Sequence, residues 1–198
     1  MKKHSLQLLV QLFLASFFIL SCSSSSDDAP EETILSDCLK IGDSHQGGII
    51  FYIDHTNEHG LIAAMEDQNS GAIWGCPEST DPIANQRDIG FGNANTSAIV
   101  NNCTEENTAA KICSELSLNG YDDWFLPTIH ELELLYYNRD LVGGFTNTNY
   151  SSATESKNTD GNYKYVFTID FVPNPVYADR QVEILKTVPL PVRAIRKF

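Results

Sequence analysis

Apolar and polar positions along this chain change their period several times, and each change marks a different kind of segment. Leu6 to Leu20 is one apolar run, interrupted by Gln7 and Gln11, and Ser23 to Glu32 then carries almost nothing apolar. Further on, Gly47-Gly48 opens Ile49-Ile50-Phe51-Tyr52-Ile53 and Gly60 opens Leu61-Ile62-Ala63-Ala64. Two β-rich runs with polar Asp54 to His59 between them predict a hairpin. Asn95 to Leu118 reads as two short helices split near Cys103 to Glu105. The second, Glu106 to Leu118, places Ala109, Ile112, Cys113 and Leu116 on one face and stops at Asn119-Gly120. An extended aromatic segment, Tyr121 to Pro127, feeds Thr128-Ile129-His130-Glu131, the pattern of a capping box. Ile129, Leu132, Leu135 and Tyr136 then line one helical face. After Gly143-Gly144, Tyr163, Tyr165, Phe167, Ile169 and Phe171 alternate with polar residues, and Val182–Thr187 and Leu190–Lys197 read as closing strands around Pro189. A hairpin, then helices, then strands predicts an α+β fold rather than alternating α/β.

The N-terminal run gains meaning from its flanks. Lys2 and Lys3 precede it and small Ser21 closes it before Cys22, the layout of a secretory signal. The run is shorter than the roughly 18 to 20 apolar residues that a bilayer span needs. A small residue just before a cysteine resembles bacterial lipoprotein signals, in which the cysteine is acylated and becomes the mature N-terminus. Residues 1–21 are thus expected to be a signal peptide, with Cys22 the lipidation site. Several acyl chains on Cys22 would hold the protein on a membrane without a spanning helix. Residues 22–36 read as a disordered tether, and its acidic stretch resembles the surface-export tag of some Gram-negative lipoproteins. The expected location is the outer membrane, on the cell surface. Residues 37–198 have the length of one domain with a real core.

Losing residues 1–21 removes two lysines and no acid, so the formal charge moves from −13 to −15. Nucleic acid is excluded as an expected partner, because its phosphates call for a basic face. Arg180, Lys186, Arg193, Arg196 and Lys197 do face only Glu183 near the C-terminus. The reading taken is a β-structured end that neutralises an acidic body. Cys38, Cys76, Cys103 and Cys113 remain after the lipid cysteine, and an even count in an exported chain points to two disulfides with three open pairings. Their spacings match no common zinc pattern. His55-x-x-Glu58-His59 has the letters of an inverted zinc-protease motif, but that motif needs a helix and these residues fall in a hairpin loop. Oxygen-rich loops at Asp54 to Glu58 and Asn158 to Asn162 make calcium the one metal to consider, and ordinary turns explain them as well. Pro173-Asn174-Pro175 is a weak echo of a lectin calcium motif. Asp122-Asp123 and Glu131/Glu133 pair carboxylates whose side chains point to different faces, and no catalytic constellation is seen. Trp124 reads as core, whereas Trp74, beside Gly75 and Cys76, is open to either core or a sugar-stacking role.

Gln46-Gly47-Gly48-Ile49-Ile50-Phe51-Tyr52, Gly60-Leu61-Ile62-Ala63-Ala64, Gly120-Tyr121-x-x-Trp124-Phe125-Leu126-Pro127-Thr128-x-x-Glu131-Leu132 and Val192-Arg193-Ala194-Ile195-Arg196-x-Phe198 together resemble the Lcl C-terminal domain family, over about residues 40 to 198. The resemblance implies a C-type-lectin-like domain with an N-terminal hairpin, two to three helices and a C-terminal antiparallel sheet. It further implies an adhesion or ligand-recognition module rather than an enzyme, binding a glycan or an extracellular protein. Sulfated glycosaminoglycan is the ligand reported for the best-known member type. Set against the family pattern, Cys76 to Cys103 bounds an insertion, which implies Cys76–Cys103 and Cys38–Cys113 bridges. The ligand-binding residues it points to are Trp74, Tyr150, Ser151, Ser152, Glu155 and Arg193. Two departures stand out: Tyr150-Ser151-Ser152-Ala153-Thr154-Glu155 lacks the family's tryptophan, so the loop expected there would repack, and a charge of −15 opposes a polysulfated chain. The alternative role is a structural accessory lipoprotein of an envelope complex.

Overall fold

The hydrophobic runs of the hairpin do not alternate with polar residues, because this hairpin is covered on both faces. In a computed structural model, which describes residues 39–79, 81–157, 159–173 and 180–198, β2 (Gly48–Ile53) pairs antiparallel with β3 (Gly60–Ala63). Successive side chains on a strand point to opposite faces. Ile50, Ile62 and Ala64 accordingly enter one apolar cluster with Trp74, Ile99, Trp124, Leu126 and Val192. Phe51, Leu61 and Ala63 enter a second with Ile129, Leu132, Leu135, Tyr150 and Phe171. Short β1 (Ser44–His45) pairs with β2 on one side. On the other, β9 (Ile195–Lys197) pairs with β3 and completes the sheet β1-β2-β3-β9.

The remaining strands form two smaller antiparallel sheets. One pairs β4 (Asn69–Ala72) with β8 (Leu190–Val192), and the other runs in the order β5 (Asn149–Ser156), β6 (Tyr165–Asp170), β7 (Gln181–Leu185). Four helices occur among the described residues: α1 (Gly92–Asn102), α2 (Ala109–Ser114), α3 (Ile129–Tyr137) and α4 (Arg139–Val142). Helices and antiparallel sheets segregate along the chain, which is an α+β arrangement. Residues Leu39–Phe198 are one compact unit that contains both apolar clusters and all these pairings, the parts a domain needs to fold by itself. Among the described residues no helix is long and apolar enough to cross a membrane.

Helix α3 starts as the sequence predicts. Thr128 Oγ1 accepts from the Glu131 amide at 3.2 Å and Glu131 Oε2 accepts from the Thr128 amide at 2.8 Å. Helix α2 is shorter than expected, because Thr108 caps it and the chain turns beyond it into the Leu118–Tyr121 bridge. The larger departure lies at Tyr150 to Glu155, expected as a loop. It is strand β5, and every residue from Tyr150 to Ser156 is buried. Its polar side chains tolerate burial because each of several finds a partner: Ser152 donates to Phe167 O, Thr154 donates to Gln86 O and accepts from the Ile129 amide.

Cys76 and Cys103 form a disulfide. Cys113 is a buried free thiol packed in the first cluster, so the implied Cys38–Cys113 bridge is not made here. Cys38, like Cys22, the signal segment and the tether, lies outside the described residues. The Cys76–Cys103 bridge closes a stretch of 27 residues whose described part holds one helix. On loop-closure entropy its removal should cost about 3.5 kcal/mol. Urea denaturation of the Cys76→Ala/Cys103→Ala double variant is expected to show that loss, and an unchanged midpoint would mean that the bridge adds nothing.

Candidate functional site

Burying a cation is costly unless an acid and further acceptors meet it, and this rule places most of the residues that the sequence singles out. Arg193 is 1% exposed. Its Nε donates to Asp67 Oδ1 at 2.8 Å, while Nη1 and Nη2 donate to the carbonyls of Ala64, Gly143 and Gly144. The guanidinium stacks on Phe145 at 4.0 Å from the ring centre. Tyr150, also buried, donates its hydroxyl to Asp67 Oδ2 at 2.7 Å and accepts from the Thr146 amide. Burial, first of all, pushes the Tyr150 hydroxyl above its ordinary pKa. Gly144 sits at positive φ where a Cβ would come within 2.6 Å of Met65 O, so only glycine lets its carbonyl reach Arg193.

Glu155 and Lys186 form a fully buried pair at 2.5 Å. The other Glu155 oxygen accepts from the amides of Ile83 and Ala84, and the Lys186 ammonium lies 4.4 Å from the Trp74 ring centre. Trp74 is itself buried and donates its indole N–H to Ser152 O. Trp124 is core as well. Arg196 grips Asp123 with two nitrogens, at 2.6 and 2.9 Å, and stacks on Tyr121. That fork holds the Asp123 carboxyl below its ordinary pKa. Lys186, Arg193 and Arg196 therefore neutralise acids brought from far along the chain. Trp74, Tyr150, Ser151, Ser152, Glu155 and Arg193, expected as ligand contacts, are instead interior framework: all are buried, and the polar groups of five of them are engaged inside the protein.

Three surface clefts differ in how much of their polar lining is already spent. The first, about 440 Å³, runs between Met65–Gln68 and the apolar side chains of Ile112, Leu116 and Leu118. Asp67 there serves Arg193 and Tyr150, Gln68 serves Ala194 and Glu66, and Asn119 serves Gly47. The second lies beside the disulfide, rimmed by Glu78, Asp81 and Glu105. Glu105 accepts from the Cys76 amide and Glu78 faces Lys164. Cys76, Cys103 and Glu105 are the one group of close metal-ligand types among the described residues, and the two sulfurs are bonded to each other.

The third cleft, about 460 Å³, opens at the end of the hairpin between Tyr52, Asp54, His59, Ile89, Lys197 and Phe198. Several elements position it. The Asp54 amide donates to His59 O and closes the hairpin loop. Asp54 Oδ1 accepts from the Thr56 amide and hydroxyl, and the Thr56 hydroxyl holds the carboxyl below its ordinary pKa. His55 and His59 are exposed loop residues with no helix between them, which removes the context for zinc. Gly60 and Phe198 exchange backbone hydrogen bonds, and a Cβ on Gly60 would lie 2.6 Å from Phe198 Cε1. Glycine thus lets the Phe198 ring lie over the strand, edge to face with His45. The far wall is held by Glu131, whose Oε1 accepts from the Gly90 amide at 2.7 Å. Burial raises the Glu131 carboxyl above its ordinary pKa, against the lowering effect of the Thr128 and Gly90 amides.

Sequence reasoning named Tyr52, Lys197 and Phe198 but marked none of them as a ligand contact. The available signal was Tyr52, a polar-tipped aromatic set between Phe51 and Ile53 in an otherwise apolar run. Of the calcium suggestion, Asn158 and Asn174-Pro175 lie outside the described residues, and Asp54 spends one oxygen on its own turn. No protein-family model matches the chain, and no curated protein matches it.

Removing one partner of the Glu155–Lys186 pair strands a buried charge, so Lys186→Ala should cost about 3 to 5 kcal/mol. Lys186→Met with Glu155→Leu should recover part of that loss in denaturant melts; no recovery would mean that the lost packing, not the stranded charge, sets the cost. Asp123 has a folded pKa below its unfolded value, so its contribution is present above about pH 4 and is lost as pH falls through the folded value. The melting temperature of Asp123→Asn should accordingly differ from that of the parent at pH 7 and converge with it at pH 2.

Proposed function

We propose that this chain is a lipid-anchored recognition module of C-type-lectin-like type, carried on the outer membrane through Cys22 and binding an extracellular glycan or protein. The observation that carries the reading is the division of labour among polar groups. The charged residues of the interior are consumed in holding loops together, while the hairpin cleft keeps donors, acceptors and aromatic surface unspent. A catalytic centre draws reactive side chains together in a cleft with perturbed proton affinities. Here the perturbed Glu131, Tyr150 and Lys186 are tied to backbone amides or to charged partners, Asp123 to Arg196, and Asp54 to its own Thr56 turn. Recognition on loops carried by a rigid scaffold is the use such an arrangement supports best.

Anchoring has its own support in the run Leu6 to Leu20 closed by Ser21-Cys22. Replacing Cys22 by Ala is expected to release the chain from membranes, and persistent membrane association would count against the lipid anchor. A glycan and matrix-protein array probed with residues 37–198 should give saturable binding to at least one ligand. Silence across the array, with co-purification of one envelope protein from cells, would favour the accessory role instead.

A further inference from the structure

We propose that the hairpin cleft binds an uncharged pyranose, with Tyr52 and Phe198 supplying the apolar platform and Asp54, His59 and Lys197 the hydroxyl contacts. This rests on the reading of the chain as a recognition module and names the ligand class and site within it.

A pyranose presents an apolar C–H face and a rim of hydroxyls that each donate and accept, and the cleft offers a match to both. The face of an aromatic ring is electron-rich and attracts the weakly positive C–H edge of an apolar surface. Tyr52 and Phe198 are half-buried, held on one side by the protein and open to the cleft on the other, with exposed Ile89 opposite. Around them the polar inventory is incomplete. Lys197 Nζ spends one of its three donors on Gly90 O, and Asp54 Oδ2 makes no hydrogen bond to the described residues while Oδ1 is committed to Thr56. Among the described residues the His59 ring and the Tyr52 hydroxyl make none either, and each can donate or accept. The cleft falls within the roughly 300–1,000 Å³ range of small-molecule sites.

Charge selects against other ligands. The cleft lining brings one acid, Asp54, and one ammonium, Lys197, rather than a cluster of either sign. Outside it, an acidic chain repels sulfate and uronate groups. The groove beside Met65 is a poorer host for a sugar, since of its amide and carboxylate side chains Asp67, Gln68 and Asn119 already bond within the protein and leave only the Glu66 carboxylate.

The test is titration of isotope-labelled residues 37–198 with methyl hexopyranosides and methyl N-acetylhexosaminides, with a sulfated heparin disaccharide as the charged comparison, followed by amide chemical shifts. The expected result is saturable shifts at Tyr52, His59, Gly60, Ile89 and Phe198 with at least one uncharged sugar. Tyr52→Ala should weaken that binding about tenfold. Asp54→Asn, which keeps the Oδ1 acceptor for the Thr56 turn, should weaken it without disturbing the fold. No shifts with any uncharged sugar, shifts confined to other surfaces, or affinities unchanged in both variants would each overturn the assignment. An array ligand that binds elsewhere would leave the recognition reading intact and remove this site. An empty array together with silent titrations would remove both.

Discussion

Three cations near the C-terminus, Lys186, Arg193 and Arg196, have side chains that are 0, 0 and 6% exposed, and the arrangement of the rest follows from how each is satisfied. Their acids, Glu155, Asp67 and Asp123, come from a strand, a connection and the extended segment before α3. A buried ion pair adds little net stability over an apolar replacement, yet leaving one partner alone is severe. Such contacts therefore act on which structure forms more than on how stable it is. Arg193 alone draws Ala64, Asp67, Gly143 and Gly144 to one point, and so joins the exit of the hairpin to the end of α4. Glu155 does the same for the irregular stretch at Ile83-Ala84, which has no ladder of its own to hold it.

Apolar burial supplies what the charges do not. The β2–β3 hairpin divides the two clusters, and its uninterrupted run of Ile, Phe and Ala follows from having both faces covered, which a one-sided sheet would not permit. Burial on both faces also fixes register, since a slip of one residue would exchange the two sets of side chains. Gly60 at the start of β3 is the point where this scaffold meets the cleft: it must be small for Phe198 to lie across it.

What was legible in the sequence was local. The hairpin, the Thr128–Glu131 capping box and the alternating strand at Tyr165 to Asp170 each follow from neighbours a few residues apart, and each is present. Strand β5 was not legible, because Ser-Ser-Ala-Thr-Glu has the polarity of a loop and becomes a buried strand only through partners such as Phe167, Gln86 and Lys186. The same blindness made Glu155 and Arg193 look like ligand contacts. A charged side chain advertises chemistry, and only the distant acid or base that meets it tells whether that chemistry is spent. Short elements β1, β4 and α4 escaped for a simpler reason, as two to four residues carry no period. The cleft combines residues 52 to 59, 89 and 197 to 198, a juxtaposition that exists only after β9 has paired with β3.

The ion pairing that builds the interior also shapes what the exterior can bind. Each of these cations is withdrawn from the surface field together with the acid it meets, whereas Glu66, Asp122 and Glu115 stay exposed. Asp123 is half-exposed but committed to Arg196, and Arg87 is turned onto Phe167 and bonded to Gln181. Since each of these cations is matched by one acid, the acidic excess of the chain stays on the outer surface, and a polyanion approaching it meets repulsion that clustered lysines and arginines would otherwise relieve. Recognition on such a surface has to rest on contacts that do not depend on net charge: ring faces, hydroxyl hydrogen bonds and shape. Those are the contacts left unspent where the hairpin, the Ile89-Gly90 turn and the last strand come together.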